Sequence, residues 1–431
     1  MTISIVGTGY VGLVTGAVYA DFGHRVFCID VDATKIKNLR KGKVSFFEPG
    51  LEELVSRGIS SGRLCFTCNF KTSIPNSRVV FICVGTPPLE DGSVDLRQLY
   101  AATESVAKNL KGQTVIVVKS TVPIGIEVEL EKIIHKNSKN HFEIVAVPEF
   151  LREGSAIEDT LHSDRIVIGA KNQKGKAVDL ILELHKHFSG ERIICDLRSA
   201  QLIKYAANSL LATKVSFANA VAQLSEKIGA EAEKVLHGVG LDKRIGRTYL
   251  YPGVGYGGSC LPKDVLAFVD VAEKFGYDFG LLKEVDRVNQ EQIENFVKKI
   301  REALDGSVEG KKIGILGLSF KPDTDDVREA PALKIINLLL EQKAEVVAYD
   351  PVAIPSVKRV FPHQIGYAQD PYEVAKGADC LAIITEWNEF RDLDLSKIKE
   401  LMKTPIIADG RNIYDPQKVK EQGFKYFGIG R

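Results

Sequence analysis

The chain carries almost no net charge, with 57 Lys and Arg against 56 Asp and Glu. Nucleic-acid partners call for clustered excess cation, so none is expected, and groups that bind phosphate must be few and local. No apolar run approaches the ~18 residues of a membrane span, so no membrane association is expected. The opening MTISIVGTGY has neither the basic region nor the long apolar stretch of a secretory leader. Cysteine is scarce: seven residues in 431, an odd number that fits free thiols in a reducing cytoplasm better than a disulfide framework. Cys65 and Cys68 in RLCFTCNF have CxxC spacing but no second CxxC or His pair beside them. That segment alternates like a strand, which turns the two thiols to opposite faces, so no metal site is expected.

What is present is a rhythm of short apolar runs separated by helix-like segments. TISIV (2–6), HRVFCID (24–30), SRVVFICV (77–84), QTVIVVKS (113–120), FEIVAVP (142–148) and DRIVIGA (164–170) predict the strands of a mostly parallel, doubly wound α/β sheet. Residues 1–195 form one such domain. From 199 to 229 the sequence has neither proline nor internal glycine and predicts one long helix. A Gly/Tyr-rich loop, 246–260, follows within a helical region, 196–309, suited to subunit contact. At Lys311 the opening pattern returns: KKIGILGLSF, a helix over APALKIINLLLEQK, then AEVVAYDP, DCLAIIT and TPIIADG. Residues 310–431 therefore predict a second, smaller doubly wound domain.

Gly7-Thr8-Gly9-Tyr10-Val11-Gly12 is a GxGxxG that follows a strand and opens a helix, with Asp30 closing the next strand about 20 residues on. In that context it predicts a Rossmann-like dinucleotide site. Gly7 makes the turn, Gly9 admits the pyrophosphate and Gly12 lets helix meet strand, while the helix N-terminus stabilises the phosphate charge. Asp30 accepts from the ribose hydroxyls and repels a 2′-phosphate, which favours NAD over NADP; Lys35 adds a contact. Gly314 and Gly317 do not complete a second fingerprint, so a second NAD is not expected. Thr86 and Thr121 end two strands in Gly/Thr/Pro turns beside this cleft. Glu149, Arg152 and Glu153 follow another strand, where open α/β sheets build sites.

Lys204 and Asn208 lie four apart, on one face of the long helix. Apolar and small neighbours favour burial of Lys204, which suits proton transfer. In GGSCLPKD (257–264), Pro262 fits the first turn of a helix. That sets Cys260 at a helix N-terminus near Lys263, with Asp264 next. Both features favour thiolate. Local sequence alone leaves a packed or capping cysteine as the favoured reading and a nucleophile as the other.

Taken together, GTGYVGLV, FFEPGLEEL, FICVGTP, STVPIG, PEFLREG, KYAANSLLATKVSF, GVGYGGSCLPKD, GLSFKPDTDDVREAP and DGRN run in order over essentially the whole chain. In this the sequence resembles the UDP-glucose 6-dehydrogenases of the UDP-glucose/GDP-mannose dehydrogenase family. The resemblance implies a four-electron oxidation of a nucleotide sugar at C6, with two NAD reduced. It implies that Lys204 and Asp264 manage the first proton through water, that Asn208 and Lys204 hold the oxyanion, and that Cys260 captures the aldehyde. Thr121, Glu149 and Asp264 then orient the hydrolytic water. By motif position, Phe150, Leu151, Arg152, Glu153, Lys204, Asn208, Arg244, Tyr249, Tyr251 and the loop to Gly257, Phe320, Lys321 and Arg411 hold the UDP-sugar. Glu153, Lys263 and Arg328 join Gly7, Gly9, Tyr10, Val11, Gly12, Asp30, Lys35, Thr86 and Thr121 on NAD. Arg244 is implied to reach a neighbouring subunit, hence a homodimer or higher oligomer. Val147 and Ala220 depart from commoner family residues and leave the subgroup open. UDP-N-acetylmannosamine and GDP-mannose enzymes remain alternatives within the family. A two-electron β-hydroxyacid dehydrogenase would not need Cys260. A non-catalytic nucleotide-sugar sensor would have no use for lysine, asparagine and cysteine together.

Overall fold

Short strands buried on both faces form the frame of the computed structural model, which describes residues 1–431. The chain folds as two compact units, Met1–Ala207 and Asn208–Arg431. The first is built on β1 (Thr2–Val6), β2 (Arg25–Ile29), β3 (Leu64–Thr67), β4 (Val79–Ile82), β5 (Thr114–Val118), β6 (Phe142–Ala146), β7 (Arg165–Ala170) and β8 (Glu191–Cys195). Their order is β3-β2-β1-β4-β5-β6-β7-β8, parallel except where β6 meets β7 antiparallel. Ile3 and Ile5 of β1 and Val79 and Phe81 of β4 enter one apolar cluster. Val6, Val80 and Ile82 enter another. A parallel sheet covered on both faces needs such continuous apolar runs, and the alternation assigns each side chain its face.

The second unit carries β9 (Lys312–Leu316), β10 (Glu345–Tyr349), β11 (Gly366–Tyr367), β12 (Cys380–Ile383), β13 (Ile406–Asp409) and β14 (Lys425–Gly428). The order is β11-β10-β9-β12-β13-β14, all parallel. This is the 3-2-1-4-5-6 order of the dinucleotide-binding fold, and it matches the first six strands of the other sheet. The predicted repetition is therefore one of topology. Strands β8, β11 and β14 were not expected: β11 has two residues, and β8 is only half-buried along its length, so neither leaves an apolar run.

The predicted strands are present; β1 and β7 end where expected, and most others stop sooner, as with Thr114–Val118 inside 113–120. Their last residues peel into the turns that carry the site. The predicted long helix forms over Leu197–Ile228, and 246–260 is a loop without helix or strand. No helix is long and apolar enough to cross a membrane. In the first sheet the order reverses between β1 and β4, which opens the ligand crevice of such sheets at their C-terminal ends.

Candidate active site

Beyond β1 the chain turns at Gly7, whose φ of +97° is open to glycine and whose absent Cβ would lie 2.6 Å from the Cys83 carbonyl oxygen. A Cβ on Gly12 would lie 2.0 Å from the Gly7 oxygen, so only glycine lets this helix (Tyr10–Asp21) rest on the turn. Gly9 is its N-cap, and nothing lies within 4 Å of a Cβ there. The backbone is thus open where a pyrophosphate would approach. Asp30 accepts from the Thr8 amide at 3.0 Å and the Thr8 hydroxyl at 2.6 Å, both on Oδ2, where Lys35 also pairs at 3.2 Å. Its Oδ1 accepts from the Asp32 amide at 3.1 Å and has further lone-pair capacity for a ribose hydroxyl. Burial pushes the Asp30 carboxyl up, but the hydrogen bonds from Thr8 and Asp32 and the charge of Lys35 outweigh it and hold it below the usual range. Gly7, Gly9, Gly12, Asp30 and Lys35 therefore fit the dinucleotide that the sequence predicts, with Tyr10 and Val11 opening the helix. Thr86 donates to the Thr121 carbonyl at 2.9 Å, joining the two turns expected to flank it.

The equivalent acid of the second sheet behaves differently. Asp350 closes β10, 1% exposed. Its Oδ2 accepts from the Leu318 and Ser319 amides, the Ser319 hydroxyl and the Trp387 indole N–H. Its Oδ1 accepts from the Val352 and Ala353 amides. With both oxygens committed, this turn offers a ribose nothing, in line with the expected single NAD.

Five side chains gather beyond β5 and β6: Lys119, Glu149, Phe150, Arg165 and Lys204. Glu149 pairs with Lys119 at 2.6 Å and accepts from the Phe150 and Leu151 amides at 2.8 and 3.1 Å. Burial raises the Glu149 carboxyl, but the charge and hydrogen bond of Lys119, the Phe150 amide and the charge of Lys204 prevail, and it stays ionised below its usual range. Lys204 is buried, as expected, with its ammonium 5.2 Å from the Phe150 ring centre; Arg165 stacks over the same ring at 4.0 Å. Lys204, Thr121 and Gln201 line one small cavity. Gln201 accepts from the Gly125 amide at 2.8 Å, fixing the Thr121 turn to the long helix. Lys119 and Gln201 were missed by sequence reasoning. The signal for Lys119 was a charge directly ending the apolar run TVIVV. Of the remaining groups here, Leu151 packs on the core and Glu153 is buried. Arg152 is held by both oxygens of Asp159.

In the second unit Cys260 is the N-cap of a helix, Leu261–Lys274, with Pro262 in its first turn. The thiol is exposed, 3.5 Å from the Ser259 hydroxyl. Asp264, 1% exposed, sits one turn on. It accepts from the Asn208 amide group at 2.6 Å and from Lys263 at 2.6 Å. Asp264, Asn208 and Lys263 thus form one hydrogen-bonded group, centred on a buried carboxylate, beside the cysteine turn. Lys263, expected to act on the thiol, directs its ammonium at Asp264.

The glycine loop before Cys260 is pinned by three amides that the sequence did not flag. Asn219 accepts from Gly253 N, Asn289 accepts from Tyr256 N and donates to Tyr256 O, and Gln292 donates to Gly253 O. A Cβ on Gly257 would lie 2.3 Å from the Glu329 oxygen, and one on Gly258 2.8 Å from the Phe320 ring. Gly258 N also donates to the Arg328 carbonyl. Arg411 donates to Ile384 O at 2.7 Å and Gly255 O at 3.3 Å. Gly257, Phe320, Arg328 and Arg411 are thereby gathered about this loop, with Lys321 next to Phe320. Tyr249 adopts φ +66°, and the exposed Tyr251 ring stacks under Arg247 at 4.9 Å. Arg244 stands apart, 88% exposed and paired with Asp242.

Family comparisons cover these regions in turn. The NAD binding domain of the UDP-glucose/GDP-mannose dehydrogenase family matches residues 1–189, its central domain 198–291 and its UDP binding domain 314–416. A UDP-glucose 6-dehydrogenase of Rhizobium meliloti is 46% identical over 100% of both chains. Among solved structures, a UDP-glucose dehydrogenase from Pyrobaculum islandicum superposes with a TM-score of 0.93 at 38% identity, covering 100% of this chain and 97% of that one. A UDP-D-ManNAc dehydrogenase from Pyrococcus horikoshii gives 0.88 at 28% identity, covering 100% and 99%.

Proposed function

The chain belongs to the UDP-glucose/GDP-mannose dehydrogenase family, and on that premise we propose that it is an NAD-dependent UDP-glucose 6-dehydrogenase yielding UDP-glucuronate. The observation that carries the chemistry is the exposed thiol of Cys260 opening the helix whose first turn holds Asp264 against Asn208. Gly7, Gly9, Gly12, Asp30 and Lys35 would hold NAD, which would supply the hydride acceptor for C6 in each of two oxidations. Lys204 and Asp264, through water, take the proton that leaves the C6 hydroxyl, and Lys204 and Asn208 stabilise the developing oxyanion. The Cys260 thiolate adds to the aldehyde carbon to give a thiohemiacetal, which keeps the reactive aldehyde bound and divides the hard step. Oxidation of that adduct leaves a thioester. Water attacks its carbonyl, the C–S bond breaks, and the carboxylate leaves as the thiol is restored. Thr121, Glu149 and Asp264 orient that water; Glu149, ionised beside Lys119, accepts a hydrogen bond from it and stays anionic.

The FLRE segment, Tyr249, Tyr251, Gly257, Phe320, Lys321 and Arg411 hold the UDP-sugar, with Glu153, Lys263 and Arg328 on the dinucleotide. Residues 1–195, 196–309 and 310–431 serve NAD binding, dimerisation and UDP-sugar binding. An exposed apolar stripe supports the homodimer: Leu210, Phe217 and Leu224 recur every seven residues on the long helix, a spacing that keeps one face toward a partner helix. Arg244, exposed on this protomer, reaches the neighbouring site. Seven free cysteines accord with a cytoplasmic location.

The 46% identity to a UDP-glucose enzyme and the PEFLREG motif support glucose as the sugar. The likeness to a UDP-D-ManNAc dehydrogenase makes a panel of UDP-glucose, UDP-N-acetylmannosamine and GDP-mannose the test of substrate choice. The highest kcat/KM should fall to UDP-glucose; preference for either of the others would reassign the sugar. Replacing Cys260 by Ser should stop turnover after the first oxidation or at a slowly hydrolysed ester, seen as a covalent adduct by mass spectrometry. Unchanged turnover would remove the thiol from the mechanism.

A further inference from the structure

The FFEPG segment, residues 46–50, lies outside every role assigned above, yet it touches both ligand-facing parts of the first unit. Glu48 is 6% exposed. Its two carboxylate oxygens accept from backbone N–H groups over a hundred residues away: Oε2 from Gly154 at 2.6 Å and Oε1 from Ala156 at 2.7 Å. Ala156 begins a helix, Ala156–Leu161, whose own N-cap, Ser155, makes no capping side-chain bond. The N–H groups of a helix start need an outside acceptor, and an anion there also meets the positive end of the helix dipole. Glu48 supplies both from a distant segment.

The same segment is fixed to the dinucleotide turn. The Tyr10 hydroxyl donates to the Phe47 carbonyl at 3.0 Å, and the Tyr10 and Phe46 rings lie 3.9 Å apart at 31°. Gly50, at φ +77°, then turns the chain into the helix Leu51–Ser60, anchored in the core by Leu51, Leu54 and Val55. Residues 46–50 are thereby held at both ends, and the carboxylate between them holds the loop that carries Phe150, Arg152 and Glu153.

We propose that Glu48 is a positioning residue that keeps the 150–156 sugar loop in register with the dinucleotide turn, so that NAD at the turn steadies the loop for the sugar. This rests on the reading of that loop as sugar-binding. A carboxylate is needed because it presents two acceptors to two donors. A carboxamide keeps one and sets its own N–H₂ against the other amide, leaving a buried donor unsatisfied.

The test compares wild type with Glu48→Gln and Glu48→Ala. Hydrogen exchange of peptides covering 151–158 is followed with and without NAD, which needs no turnover. NAD should slow exchange there in wild type and lose that effect in Glu48→Gln. With UDP-glucose, Glu48→Gln should raise the sugar KM about tenfold, the equivalent of one hydrogen bond to a charged group, and change the NAD KM less than about twofold. Equal NAD protection of the loop in both proteins would overturn the proposal, as would unaltered sugar kinetics in a variant whose loop exchanges faster. If Glu48→Ala fails to fold, Glu48→Gln, which keeps the shape and one acceptor, decides alone. Failure of wild type to oxidise any UDP-sugar would count against the assigned reaction, whereas the exchange result would still judge the Glu48 tie.

Discussion

Lys119 and Glu149, 2.6 Å apart and largely buried, show how single residues set the chemistry of this site. Lys119 supplies the main forces that hold Glu149 ionised against its burial. A carboxyl with a lowered folded pKa gives stability that is complete above its ordinary value, near 4.5, and lost as the pH falls through the lowered value. Lys119→Met leaves the desolvation and removes the cation, so the Glu149 pKa should rise above its ordinary range. The acid limb of the kcat–pH profile should then move upward. An unmoved limb would show that Glu149 need not be ionised for turnover. The same variant leaves an unpaired buried carboxylate, at a cost of about 3–5 kcal/mol measurable by denaturant titration near neutral pH. At this scale the proposed reacting groups were more legible in the sequence than their supports. Cys260, Lys204, Asn208 and Asp264 stand in recognisable spacings. Lys119, Glu48 and Gln201 owe their roles to partners far along the chain, which no local pattern reports.

At the scale of elements, turns at strand ends carry the site and buried amides hold those turns. The loop before Cys260 is the clearest example, since Asn289 bonds both the amide and the carbonyl of Tyr256. Gly255, at φ +100°, would place a Cβ 2.7 Å from the Asn289 oxygen. Gly255→Ala is therefore expected to strain the loop, raise the sugar KM several-fold and lower stability by about 1–3 kcal/mol. Steady-state kinetics and thermal melting check this, and wild-type values in both would show that the loop is free to rearrange. Most strands and the long helix were legible because apolar runs and period-3.6 patterns state burial directly. The two-residue β11 and the half-buried β8 were not, because pairing with a neighbouring strand, not a run of their own, makes them strands.

For the whole molecule, two sheets of like topology differ in what their turns can accept. Asp30 keeps acceptor capacity for a ribose, while Asp350 is spent within its own sheet. That distinction was half legible: the broken second fingerprint spoke against another NAD, but the saturation of Asp350 depends on Trp387, from a different part of the chain. The exposed stripe of Leu210, Phe217 and Leu224 bears on assembly. The proposed homodimer predicts a dimer for wild type and a monomer for Phe217→Asp in sedimentation velocity at micromolar concentration; a monomeric wild type would overturn the dimer, and an unchanged oligomer would place the interface elsewhere. The central claim, a four-electron oxidation through Cys260, is tested most directly by counting reduced cofactor. Purified protein is given limiting UDP-glucose with excess NAD, and NADH absorbance is followed to completion. Two NADH per sugar, with UDP-glucuronate as the product, is the expected result; one NADH per sugar would contradict the account.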